Sequence, residues 1–207
     1  MGYKVNVGCG EAKMLGYVNV DIRPDATGAE RIFDATKPWP FAPNSVEDVF
    51  SSHALEHMEN YRGFFRHLWE AMEDGGHAML VMPYGAHETA LADPQHYRPW
   101  FPTSFGFLSP RSVEHSHNPE HNDWQWPFGI VVVQLKVNPR LQWLLWRPWR
   151  RWTAGILSHL WNGYTELGVT LMAIKSPQSF ERWQKHVGDI HVVRIYPTHQ
   201  FHITKKL

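Results

Sequence analysis

Apolar and polar positions alternate in short bursts along the first half of the chain. Val5-Asn6-Val7 running into Gly8-Cys9-Gly10 reads as a short buried strand that ends in a glycine turn. Tyr17–Asp21 reads as a second strand ending on an acid, and Glu11–Gly16 leaves room for only a very short crossover helix. Phe41–Ser45 reads as a turn and Val46–Ser51 as a third strand. From Asn60 to Met72 the apolar residues Tyr61, Phe64, Phe65, Leu68, Trp69 and Met72 recur at helical spacing. Asp74-Gly75-Gly76 is expected to stop that helix, because glycine suits the position after a helix end. Ala78–Met82 is then another buried strand, closed by Pro83. This rhythm predicts an α/β fold with a mostly parallel sheet and flanking helices.

The second half changes character. Residues 84–127 are dense in His, Pro, Asn and Trp and read as an inserted acceptor loop or lid. Gly129–Val137 and Tyr164–Ile174 read as strands, with Val192–Tyr196 and Phe201–Thr204 as a terminal antiparallel pair. Pro139–Leu160 reads as partly helical, interrupted by Pro148. No linker or repeat stands out, so residues 1–207 are expected to form a single domain. Residues 1–83 would be its cofactor half, 84–127 its acceptor loop, and 128–207 its C-terminal strands and Trp/Arg-rich segment.

Composition narrows the classes. Charged residues make up 19% and hydrophobic residues 43%, which excludes a disordered chain. The single cysteine, Cys9, excludes an internal disulfide. No stretch approaches the roughly 18 apolar residues of a membrane span. Without a signal-like N-terminus, a cytoplasmic location is expected. The zero net charge hides an asymmetry: residues 1–123 carry 17 acids and 9 bases, residues 124–207 carry 3 and 11. The halves either attract one another or a twin subunit, or the basic half meets an anionic substrate. Leu141–Trp152, with Trp143, Trp146, Arg147, Trp149, Arg150, Arg151 and Trp152, suits core packing, a homodimer contact, or a stacking surface for substrate or nucleic acid.

Chemistry concentrates where the first strands end. Glycines let a backbone approach a ligand with no Cβ in the way, and an acid at the next strand tip accepts hydroxyl hydrogen bonds from a ribose. Lys13 stands where a dinucleotide fingerprint needs its third glycine, so a nucleoside-type ligand is favoured over a pyrophosphate.

Five stretches, in order, carry a resemblance. They are Val5-Asn6-Val7-Gly8-Cys9-Gly10, Asn19-Val20-Asp21-Ile22, Asp34-Ala35-Thr36, Trp39 to Val49, and Ser51-Ser52-His53-Ala54-Leu55-Glu56-His57. Together they resemble the motifs of small class I S-adenosylmethionine-dependent methyltransferases, which fold as a Rossmann-like sheet. The resemblance implies that Val7, Gly8, Cys9 and Gly10 pass under the methionine part of S-adenosylmethionine. It implies that Asp21 holds the ribose, Ile22 packs on the adenine, and Asp34 with Ala35 meets the adenine edge. Ser52 and His53 would face the methionine moiety and the methyl group.

Beyond the cofactor, His53-x-x-Glu56-His57 matches the inverted zincin pattern. That pattern must lie within a helix, whereas here it begins at a strand tip. The same stretch is similar to Glu-x-x-Glu-His in small-RNA 2′-O-methyltransferases and ubiquinone-pathway O-methyltransferases, where the side chains hold a divalent metal. His53 replaces the first Glu, so a metal on His53, Glu56 and His57, completed by His87 or His96, is the secondary reading. The leading one has Glu56 and His57 opening a helix without metal. Asp93 to Phe105 resembles a stretch of methyltransferases found near glycan-synthesis enzymes. There His96 and His53 are candidate bases, and Arg98 is a candidate anion holder or the partner of Asp93. These features predict methyl transfer to oxygen or nitrogen of a small polar acceptor, a sugar or glycan precursor first. The alternatives are a nucleic-acid or nucleotide methyltransferase and a non-catalytic cofactor-binding accessory protein.

Overall fold

The structure, a computed structural model, describes residues 2–110, 125–141, 161–187 and 193–196. Eight strands form one sheet in the order β3-β2-β1-β4-β5-β7-β6-β8. They are β1 (Tyr3–Val7), β2 (Val18–Asp21), β3 (Arg31–Ile32), β4 (Val46–Ser52), β5 (Met72–Pro83), β6 (Phe128–Val137), β7 (Tyr164–Ala173) and β8 (Val193–Tyr196). Strands β1 to β5 run parallel, β7 lies antiparallel to both β5 and β6, and β8 runs parallel to β6. The helices are α1 (Tyr61–Ala71), α2 (Glu88–Ala92) and α3 (Pro177–Val187). None of the described helices is long and apolar enough to cross a membrane.

The core follows the hydrophobic pattern. Val5, Val7, Val46 and Val49 are buried, and Ala78 to Met82 is buried at every position, as a central strand covered on both faces must be. Helix α1 is capped by Asn60, whose side chain accepts from Gly63 N at 3.0 Å, and it buries Phe64, Phe65, Leu68 and Ala71 against the sheet.

Several expectations are corrected. The helix ends at Ala71, before Asp74-Gly75-Gly76, because Met72 turns extended and pairs with Val46. β5 therefore starts earlier than Ala78. No helix bridges β1 and β2. A buried polar pair organises that crossover instead: Asn6 Nδ2 donates to Asn19 Oδ1 at 2.9 Å, and Asn19 holds Met14 N, Met14 O and Tyr17 O. The two-residue β3 has no apolar pattern to announce it. The described residues 84–110 of the expected loop are also less loop-like than expected. Trp100, Phe105 and Leu108 are fully buried, and a 3-10 stretch, Pro102–Leu108, packs them onto α1. The last described strand joins the edge of β6 in parallel, and Phe201–Thr204 lies outside the described residues. So does the Trp/Arg-rich segment after Leu141, along with residues 111–124.

Candidate active site

Strand order reverses between β1 and β4, since the chain builds outward through β2 and β3 on one side and β5 on the other. In open sheets of this kind the ligand crevice lies at the carboxyl ends of the strands flanking the reversal. Here that crevice is bordered by Gly8-Cys9-Gly10 after β1, Asp21 at the end of β2, and His53 after β4.

Asp21 organises the first wall. Its side chain is buried, with Oδ2 accepting from Gly10 N at 2.8 Å and Oδ1 from Arg23 N at 2.9 Å. Arg23 Nε stands 3.6 Å from the same Oδ1. A carboxylate has about four lone-pair sites, so this one can still accept a pair of hydroxyls. Beside it Ile22 is 62% exposed, an apolar surface at the crevice mouth. Asp34 folds its own turn: Oδ1 accepts from Thr36 N at 2.9 Å and from Thr36 Oγ1 at 2.6 Å. Ala35 is buried, and its carbonyl accepts from Trp39 Nε1.

The second wall rises from β4. Ser52 is half-buried at its end. His53 follows with φ 53°, a left-handed conformation that costs a non-glycine residue and is kept mostly where function needs it. Its backbone N donates to Val81 O at 2.9 Å, while its side chain stays 47% exposed. Nδ1 lies 3.2 Å from Glu56 Oε1, and that carboxylate raises the imidazole pKa above its ordinary value against the opposing effect of burial. Glu56 sits in a 3-10 turn, Leu55–His57, and is 2% exposed.

The loop after α2 closes onto this turn. Tyr97 N donates to Glu56 O at 2.9 Å, and the His96 ring meets the His57 ring edge-on at 4.7 Å. Across the crevice the ion pair Lys136–Glu166, 2.8 Å apart on β6 and β7, acts electrostatically on His53 with opposing signs.

A family model described as a methyltransferase domain matches residues 5–80. Over those residues the chain is similar to that family. The fold agrees. An S-adenosylmethionine-dependent methyltransferase from Archaeoglobus fulgidus aligns with 83% of this chain and 86% of its own, at 14% identity and TM-score 0.53. One from Mesorhizobium loti aligns over 82% and 90%, at 15% identity and TM-score 0.51. The Haemonchus contortus phosphoethanolamine N-methyltransferase 2, solved with S-adenosyl-L-methionine, aligns over 84% of this chain and 49% of its own, at 14% identity and TM-score 0.50. No curated protein matches. The Rossmann-like sheet expected from the sequence is thus present, and it is the fold of these methyltransferase structures.

The residues expected at the cofactor lie together at the strand tips. Val7, Gly8, Cys9, Gly10, Asp21 and Ile22 share one wall, with Ser52 and His53 on the other. Gly8 has a further reason to be glycine: with φ 70°, a Cβ there would lie 2.4 Å from Ala54 Cβ. The glycine turn is thereby packed under the His53-Ala54 step, which joins the two walls. Gly28 went unnoticed in the sequence, having no motif around it. Its N donates to Gly10 O at 3.0 Å, and a Cβ on it would meet that oxygen at 2.6 Å. Lys136 and Glu166 were missed too, since only β6–β7 pairing brings them together.

Other expectations shift. Arg98 stacks on the Tyr61 ring at 3.9 Å and reaches Glu59 O at 3.4 Å, so its guanidinium is engaged in pinning the loop to α1. Asp93 makes no ion pair with Arg98. It accepts instead from Gln95 N and stands 3.8 Å from His96 Nε2. His87 caps α2, accepting from Thr89 N.

Gly8→Ala is expected to cost about 2–4 kcal/mol, from the left-handed backbone together with the clash at Ala54. Denaturant unfolding checks this. Ala54→Gly in the same background is expected to return the clash part and leave the backbone part.

Proposed function

We propose that the crevice binds S-adenosylmethionine and that the methyltransferase moves its methyl group to an oxygen or nitrogen of a small polar acceptor, with sugars and glycan precursors as the leading class. The observation that carries this is the Asp21 carboxylate. It is buried, tied to the glycine turn, and still able to accept the two hydroxyls of a ribose. Ile22 offers an apolar face for the adenine, and Asp34 with Ala35 lies beyond it. The turn of Gly8 and Gly10 lets the methionine part approach the backbone closely.

The bound cofactor supplies an electrophilic methyl group on a positively charged sulfur. The protein's contribution is alignment and proton removal. The acceptor lone pair forms the new bond to carbon as the carbon–sulfur bond breaks, with its electrons returning to sulfur. His53 takes the acceptor proton through its imidazole. It suits this role better than His96, whose side chain is only 8% exposed and wedged against His57. Arg98 serves as a loop anchor in this scheme.

The test is incubation with methyl-labelled cofactor and fractionated cell extract. Label in the small polar fraction supports the proposal. Label confined to nucleic acid overturns the acceptor class, and bound cofactor with no labelled product in any fraction overturns turnover itself.

A further inference from the structure

We propose that Glu56, His57 and His96 form a binding site for a first-row divalent transition-metal ion beside the acceptor face. The three side chains each offer one ligand atom, and these atoms lie within 4.8 Å of one another. Metal bonds of about 2.1 Å would draw them to about 3.4 Å, a small adjustment for side chains held by a 3-10 turn and a surface loop.

The Glu56 carboxylate points to a missing cation. It is 2% exposed, and among the described residues its oxygens have no donor other than His53 Nδ1, 3.2 Å from Oε1. Burying a carboxylate without donors is costly, and buried charges are normally paired or bound to metal.

His96 is already prepared as a ligand. Its Nδ1 sits 3.2 Å from Ala90 O, a pure acceptor, so Nδ1 donates there and Nε2, 3.8 Å from Asp93 Oδ2, is the nitrogen left for a ligand. Histidines that bind metal usually have their second nitrogen fixed by a carbonyl or carboxylate in this way. The backbone bond from Tyr97 N to Glu56 O locks the loop to the turn, so residues distant in sequence hold one register. One carboxylate and two imidazoles suit Zn²⁺, Fe²⁺ or Co²⁺ better than Mg²⁺. Three protein ligands leave a position for an oxygen atom. The set differs from the one expected from sequence: His53 stands outside it, paired with Glu56, and His96 of the loop takes the third place.

Only the use of that open position by the acceptor rests on the methyl-transfer proposal; binding of the ion does not. The chelator-stripped full chain is titrated with Zn²⁺ by calorimetry and with Co²⁺ by visible absorption. One equivalent is expected to bind, with the thermal midpoint rising on loading. Glu56→Gln, which keeps the shape of the side chain, and His96→Ala are each expected to weaken binding at least tenfold and to abolish that rise. His53→Ala is expected to bind no more weakly than the parent. The sequence also carries His115 and His117, a pair able to hold zinc by itself, so the His115→Ala/His117→Ala variant is expected to keep the site. Loss of binding in that variant with retention in Glu56→Gln and His96→Ala would overturn the proposal, as would absence of binding by the parent. Either result would leave cofactor binding at Asp21 untouched.

Discussion

Asp21→Ala is expected to weaken S-adenosylmethionine binding by roughly 10²–10⁴-fold, since each of two hydrogen bonds to a charged acceptor contributes about 1.5–3 kcal/mol. The carboxylate does two things at once. It receives Gly10 N and Arg23 N, which shapes the glycine turn, and its remaining lone pairs face the crevice. Asp21→Asn keeps the volume but turns one oxygen into a donor facing another donor at Gly10 N or Arg23 N. It is therefore expected to fall close to the alanine variant rather than close to the parent. Calorimetric titration with the cofactor measures both. Asp21 ends its strand, so circular dichroism is expected to show the sheet intact. An unchanged affinity in Asp21→Ala with a folded sheet would remove the cofactor from this crevice.

The second large effect belongs to His53. His53→Ala is expected to lower single-turnover methyl transfer by about 10²–10⁴-fold, the usual contribution of a positioned base. Cofactor affinity should stay within a few-fold of the parent, because the proposed adenosyl site lies at Asp21 on the other wall. The variant also removes the ring nitrogen that faces the buried Glu56 carboxylate, and a buried carboxylate without a partner destabilises. The double variant His53→Ala/Glu56→Gln removes the carboxylate as well, so it is expected to restore stability without restoring turnover. A rate that recovers with stability would show that His53 acts only by keeping the fold.

Much of the crevice was legible before any coordinates. Glycine turns, strand tips and an acid one strand later are local features, and a parallel strand places its end where its neighbours end. Asp21, Gly8, Gly10 and His53 could thus be assigned to one place from their order alone. The helix Tyr61–Ala71 was equally plain, because its buried stripe recurs at every turn. What failed was mostly punctuation. Gly75-Gly76 looked like a helix stop, yet pairing of Met72 with Val46 had already drawn the chain straight. Residues 84–127 read mainly as a loop or lid because they are dense in His, Pro, Asn and Trp, although Trp100, Phe105 and Leu108 are core. The crossover from β1 to β2 dispensed with a helix because Asn6 and Asn19 satisfy its backbone groups from inside.

By itself, the sequence determined the order of the parallel strands' tips and the residues of the first crevice wall, since periodicity and glycine placement are written within a few residues. Only the tertiary structure decided which of the polar groups meet. The approach of His96 to Glu56 and His57, the commitment of Arg98 to Tyr61, and the Lys136–Glu166 pair all join positions at least 30 residues apart. Such contacts depend on how the loop docks and how β6 pairs with β7, and those are set by the burial of the whole core rather than by any local pattern.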